Sequence, residues 1–195
     1  MKERMMFTGI INNLGKLEKR DGFIFVFSAS SQLCKKLTKG ASIAVNGICL
    51  TVLRKTRNGF SVEVMPETLS RTMLINLKKD DIVNLELPVT PKTFLSGHII
   101  QGHIDGVARV VRAVKDKNGK IIEFSVPINL SRYIVEKGSI AINGISLTVI
   151  DTKKDFFTVG IVPFTWNNTM LHTLNLGDLV NIEVDILAKY IEKLI

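Results

Sequence analysis

The sequence predicts an all-β chain: two small closed barrels in tandem, related by duplication, followed by a C-terminal helix. Three observations predict it. "SIAVNGICLTV" from Ser42 returns as "SIAINGISLTV" from Ser139, with nine of eleven positions identical. Short runs rich in Ile, Val, Phe and Thr, each bounded by turn residues, fill both halves. The final "DILAKYIEKLI" carries apolar residues at helical spacing instead.

The repeat sets the domain organisation. Phe60 falls on Phe157, Pro66 on Pro163, Thr68 on Thr165, Thr72 on Thr169 and Leu74 on Leu171, all at an offset of 97, and the same offset equates Gly9 with Gly106. A period this long marks a duplicated domain rather than a solenoid unit. Pro88 and Pro91 in "PVTPKTFLSG" mark the linker, giving domains 1–97 and 98–185 and a terminal helix 186–195.

The first half offers the strands "GFIFVFSA", "SIAVNGICLTVLRKT", "GFSVEVMP" and "DIVNLELP". Their counterparts are "IIEFSVP", "SIAINGISLTVIDT", "FFTVGIVP" and "DLVNIEVD". Asn58-Gly59 and Asn118-Gly119 read as hairpin turns, Asn46-Gly47 and Asn143-Gly144 as bends or bulges. Helix patterning within the barrels is confined to "SQLCKKL" and "NLSRYIV". Closing such strands into a barrel removes their exposed edges. In the terminal helix Leu187, Ile191 and Leu194 share one side with Ile186, Tyr190 and Ile195, while Lys189, Glu192 and Lys193 point away. Such a face serves either its own barrel or copies of the chain.

Composition narrows the function classes. A hydrophobic fraction of 46% with 23% charged residues is a globular balance. The net charge of +8 comes from lysines scattered near turns, often beside acids, which reads as a solvated surface rather than a nucleic-acid interface. No stretch approaches the roughly 18 apolar residues of a membrane helix, and "MKERMMFTGI" lacks a signal-peptide core, so the chain is expected to be soluble and cytoplasmic. Cys34 and Cys49 lack C-x-x-C spacing and are expected to stay reduced.

His98 and His103 in "GHIIQGHIDG" have no acid or cysteine cluster to complete a metal shell, so no metal site is expected. Gly-x-Gly-x-x-Gly, Walker and Gly-x-Ser-x-Gly motifs do not occur, which removes the common nucleotide and acyl-transfer readings. What recurs is hydroxyls: Ser42 with Ser139, Thr51 with Thr148, Thr68 with Thr165. Repeated hydroxyls beside glycines predict two like pockets, and so paired ligands.

The motifs "MFTGI" from Met6, "GASIAVNGICLTV" from Gly40, "MPETLSRTML" from Met65, "GHIIQGHIDG" from Gly97, "KGSIAINGISLTV" from Lys137, "VPFTWNNTML" from Val162 and the terminal "VDILAKYIEKLI" stand in one order along nearly the whole chain. In this the chain resembles riboflavin synthase of the α-subunit type. The resemblance implies two six-stranded antiparallel Greek-key barrels, a C-terminal helix, a homotrimer and association with lumazine synthase. It implies a dismutation of two 6,7-dimethyl-8-ribityllumazine molecules, one giving a four-carbon unit to the other, with riboflavin and 5-amino-6-ribitylaminouracil as products and no cofactor.

Carried over by position, the resemblance gives the N-barrel pocket Phe7, Gly9, Ile10, Ile11, Ser42, Cys49, Leu50, Thr51, Glu63, Val64, Met65, Pro66, Glu67 and Thr68. It gives the C-barrel pocket Gly102, His103, Ile104, Lys137, Ser146, Leu147, Thr148, Val162, Pro163, Phe164, Thr165, Trp166 and Asn167. Catalytic roles fall to His103, Ser146, Thr148, Asp185, Ser42 and Cys49, with His103 as the leading proton carrier for the lumazine 7-methyl group. The chain departs from the family in Phe164 and Trp166, where smaller or charged and aliphatic residues are usual, in Asn143, which replaces an acid, and in the five residues ahead of Met6. The alternative is a non-catalytic lumazine- or flavin-binding optical protein on the same fold.

Overall fold

The computed structural model describes residues 5–194; Ile195 and the residues ahead of Met5 lie outside that range. The first barrel comprises β1 (Asn13–Asp21), β2 (Ile24–Ala29), α1 (Ser31–Lys36), β3 (Ser42–Val45), β4 (Ile48–Lys55), β5 (Gly59–Glu63), α2 (Pro66–Arg71) and β6 (Ile82–Glu86). The second repeats it as β7 (Gly106–Asp116), β8 (Gly119–Ser125), α3 (Ile128–Ser131), β9 (Ser139–Ile142), β10 (Ile145–Thr152), β11 (Phe156–Ile161), α4 (Pro163–Asn168) and β12 (Leu179–Val184), before α5 (Ile186–Leu194). Each set of six antiparallel strands closes on itself, the first in the order β1-β2-β5-β4-β3-β6.

Alternation drives closure. Along β4, Ile48, Leu50 and Val52 turn into the barrel while Thr51 faces out. Bulges at equivalent places bend the strands: after Leu17 in β1 and Val110 in β7, after Val52 in β4 and Val149 in β10. Phe27 and Phe60 fill the first core with ring centroids 5.6 Å apart, as Phe124 and Phe157 fill the second at 5.6 Å.

Four local expectations are corrected. Asn46-Gly47 and Asn143-Gly144 are not bulges but two-residue hairpin turns with both φ positive, 45° and 78° in one, 46° and 77° in the other. Helix is not confined to the two predicted runs. Pro66 and Pro163 each open a single-turn helix, too short for periodicity to reveal but suited to a proline's fixed φ. Of "NLSRYIV" only the start belongs to α3. Gly9 equates not with Gly106 but with Gly102: both have φ near 77°, and their flanking strands pair alike, Gly15 with Val83 and Ala108 with Val180. The four-residue difference is taken up in the β7–β8 hairpin, which is longer than β1–β2.

The two hairpin tips meet. A Cβ on Gly47 would lie 2.6 Å from the Gly144 amide nitrogen, and one on Gly144 would lie 2.7 Å from that of Gly47. Around them four buried asparagines join the barrels reciprocally. Asn84 donates to the Asn143 carbonyl and Asn181 to the Asn46 carbonyl, both at 2.9 Å. Their side-chain oxygens accept from Met170 N and Met73 N, both at 2.8 Å. Asn143, where the family resemblance sets an acid, is thus wholly buried and structural.

Candidate active site

Two irregular straps, residues 5–12 before β1 and 97–105 before β7, cross at Phe7 and Ile100, which exchange backbone hydrogen bonds of 2.7 and 3.1 Å. Because the β3–β4 and β9–β10 hairpins abut, each strap enters its own barrel by passing over the other. The Gly9 carbonyl accepts from Ser146 N at 2.9 Å, and the Gly102 carbonyl from Cys49 N at 2.9 Å. Ile11 is buried in the second core, and Ile104 packs against the first. This reverses the expected allotment: Gly9 and Ile11 serve the second barrel, Gly102, His103 and Ile104 the first.

The N-barrel groove follows from that exchange. One hollow of about 350 Å³ is lined by Cys49, Glu67, Thr68, Gly102, His103 and Ile104. It meets at Met65 a second hollow of about 470 Å³ that takes in Thr51, Glu63 and Pro66. A groove of that combined size suits a flat heterocycle with a polyol arm. Leu50 and Val64 point into the core, so only their backbone is open to the groove. Phe7 is also fully buried, packed with Ala44, Ile100 and Ala141 between the barrels rather than lining a pocket.

On the C-barrel, Ser146 is half-buried, and its Oγ lies 2.7 Å from His98 Nδ1. Burial holds His98 below the ordinary imidazole range, against the opposing charge of Asp185. The ring is therefore neutral near pH 7. Thr148 and Lys137 are exposed on the same face of the fold's repeat, Lys137 with φ 61° where Gly40 stands at 84° in the first barrel. That left-handed backbone is costly for a lysine, which here occupies the turn that glycine fills in the first barrel. α4 carries Pro163, Phe164, Thr165, Trp166 and Asn167 after the exposed Val162, as α2 carries Pro66, Glu67 and Thr68. Lys120 Nζ sits 3.6 Å from the centre of the Trp166 ring, and Leu147 is buried in the core.

Ser42 does not line the Cys49 groove. It opens, with Thr8, Ile10 and Glu86, onto a cavity of about 680 Å³. Its repeat Ser139 shares a hollow of about 480 Å³ with Asp185, whose carboxylate accepts from Leu187 N at 3.0 Å and so starts α5.

Two residues were missed from the sequence, Glu86 and Glu183, and His98 was named there but given no role. Glu86 accepts from Thr8 N, Thr8 Oγ1 and Gly9 N at 2.7, 2.7 and 3.1 Å. Glu183 accepts from Gln101 N, Gly102 N and His103 N at 2.6, 2.9 and 3.0 Å. Burial raises both carboxyls, Glu183 to about 7, with the Gln101 and Gly102 amides and Lys189 opposing and Asp105 assisting. The signal was present: in "VNLEL" and "VNIEV" an acid ends an otherwise buried strand at the same place in both halves.

The family model described as lumazine binding domain matches residues 8–88 and again 101–185. A riboflavin synthase of Actinobacillus pleuropneumoniae is 42% identical over 191 residues, covering 96% of this chain and 89% of that protein. The chain belongs to the riboflavin synthase family. The riboflavin synthase of Bacillus subtilis is 38% identical over 188 residues, 95% of this chain and 87% of its own length. Among solved structures, LumP complexed with riboflavin superposes with a TM-score of 0.81 at 25% identity, covering 91% of this chain and 98% of LumP. Riboflavin synthase relatives thus match this chain across both barrels.

Proposed function

We propose that the protein is a riboflavin synthase, converting two 6,7-dimethyl-8-ribityllumazine molecules into riboflavin and 5-amino-6-ribitylaminouracil. The observation that carries this is the unlike setting of one repeated position: Cys49 lines a groove with His103 on the first barrel, and Ser146, its repeat, is hydrogen-bonded to His98 on the second. One substrate in each groove gives identical molecules different surroundings, as unequal donor and acceptor roles require. His103 takes a proton from the 7-methyl group of one molecule, whose anion is delocalised into the ring. Neutral His98 accepts the Ser146 proton as that hydroxyl, or a water it orients, adds to the other. Thr148, Asp185 and Cys49 orient the pair, and holding two reactants face to face supplies much of the acceleration.

The reading extends to a homotrimer in which an N-barrel faces a neighbour's C-barrel. The apolar residues that α5 leaves exposed, Leu187, Tyr190, Ile191 and Leu194, support it. It extends also to a cytoplasmic location and to association with lumazine synthase, the source of the substrate. The likeness to LumP favours a second reading, a binding protein without turnover. Against it stand the higher identity to the enzymes and the retention of reactive groups in both grooves. Blocking one groove at a time tests the choice. Cys49→Phe and Ser146→Phe should each abolish riboflavin formation from the lumazine by the otherwise active protein; conversion that survives in either variant would overturn the paired-groove reading.

A further inference from the structure

The N-barrel groove is finished by a strap whose root lies in the other barrel. Residues 101–103 are tied at three successive backbone amides to one carboxylate, Glu183 on β12, which is 3% exposed. The next link is the Gly102 carbonyl on Cys49 N, and His103 follows directly. Adding a Cβ to Gly102 would bring it within 2.6 Å of Cys49 Cβ, so the strap lies as close to the groove as backbone allows. Asp105 extends the same anchorage, accepting from Val184 N at 3.0 Å and from Lys189 of α5 at 2.5 Å.

We propose that Glu183 is a positioning residue for the N-barrel groove: by gathering the Gln101, Gly102 and His103 amides it sets where His103 stands over Cys49. Glu86 does the same in mirror image for the second barrel, gathering Thr8 and Gly9 so that the Gly9 carbonyl meets Ser146 N. Each carboxylate lies in one barrel and shapes the groove of the other. An uncharged amide in place of the carboxylate keeps one acceptor oxygen and turns an N–H donor toward another donor, so the turn opens while the barrel strands stay paired.

The inference rests on the grooves being flavin sites, and the test separates the two claims. The probe is riboflavin, read in two ways on the whole protein. Flavin fluorescence reports all binding, and emission of Trp166, the single tryptophan, on α4 of the second barrel, is the reporter for binding at that barrel. Glu183→Gln should weaken the Trp166-silent site at least fivefold and leave the Trp166-reported site within twofold; Glu86→Gln should do the reverse. Equal weakening of both sites by either variant, or no change at either, would overturn the proposal. Absence of riboflavin binding by the unaltered protein would instead sink the proposed function. Should Glu183→Gln fail to fold, amide hydrogen exchange of the unaltered protein still decides. Riboflavin should slow exchange at Gln101, Gly102 and His103 at least tenfold, and unchanged exchange there would refute the positioning role.

Discussion

His103 lines the groove of the first barrel while Ser146 stands on β10 of the second, which sharpens what each substitution should do. His103→Gln keeps size and polarity but loses proton transfer, so turnover should fall by about 10²–10⁴ with riboflavin still bound. Steady-state rates beside a flavin titration check both halves of that statement. Ser146→Ala should damage turnover more than Cys49→Ala, because the Ser146 hydroxyl is the one held 2.7 Å from a buried imidazole. The reverse order would remove the Ser146–His98 pair from the mechanism.

Glu183 makes a separate prediction for stability. Its folded pKa of about 7 lies above the ordinary carboxyl value of 4.5, so the stability it contributes is full below about pH 4.5 and is lost as pH rises through 7. Denaturant unfolding of the protein and of Glu183→Gln should show their stability difference moving against the parent by about 3 kcal/mol between pH 4.5 and 8. A difference independent of pH would show that the carboxyl titrates normally. The carboxylate that best gathers the strap amides is thus the form that burial disfavours.

At the scale of elements, strands and their duplication were legible because alternation and turn residues are local signals. Short helices were not. α2 and α4 span six residues each, fewer than two turns, and only Pro66 and Pro163 announced them. The Asn-Gly turns were misread for a related reason. Asn46 and Asn143 look like loop residues in sequence, yet each closes a hairpin whose tip is buried against the other barrel. Their burial is set by a contact some 97 residues away in the chain. Asn84→Ala removes the acceptor of Met170 N and the donor to the Asn143 carbonyl, leaving both groups buried and unpaired. It should cost about 2–4 kcal/mol in denaturant unfolding, whereas a loss under about 0.5 kcal/mol would mean that the barrels are not joined through this network. In α5, Lys189 and Glu192 tie the helix to Asp105, Arg132 and Tyr133, while Leu194 is 86% exposed. Deleting residues 186–195 should therefore abolish the proposed oligomer, read by sedimentation, more readily than it lowers barrel stability. A truncated protein that sediments as the parent would exclude α5 from assembly.

Over the whole molecule, the site was only half legible. The motifs led to a groove on the first barrel that Cys49, Thr68 and His103 line, while Ser146 and Trp166 lie on the second barrel. What sequence order could not convey is that each strap serves the barrel to which it does not belong. That follows from two hairpin tips meeting at Gly47 and Gly144, a tertiary contact with no local trace. The exchange ties the two barrels into one structural unit, with each strap packed on the other barrel. The reaction proposed for that unit has a fixed arithmetic. Purified protein given 6,7-dimethyl-8-ribityllumazine as its sole organic reactant should release one riboflavin and one 5-amino-6-ribitylaminouracil for every two lumazines consumed, followed by absorbance and by separation of the products. Lumazine that is bound and returned unchanged would contradict the account.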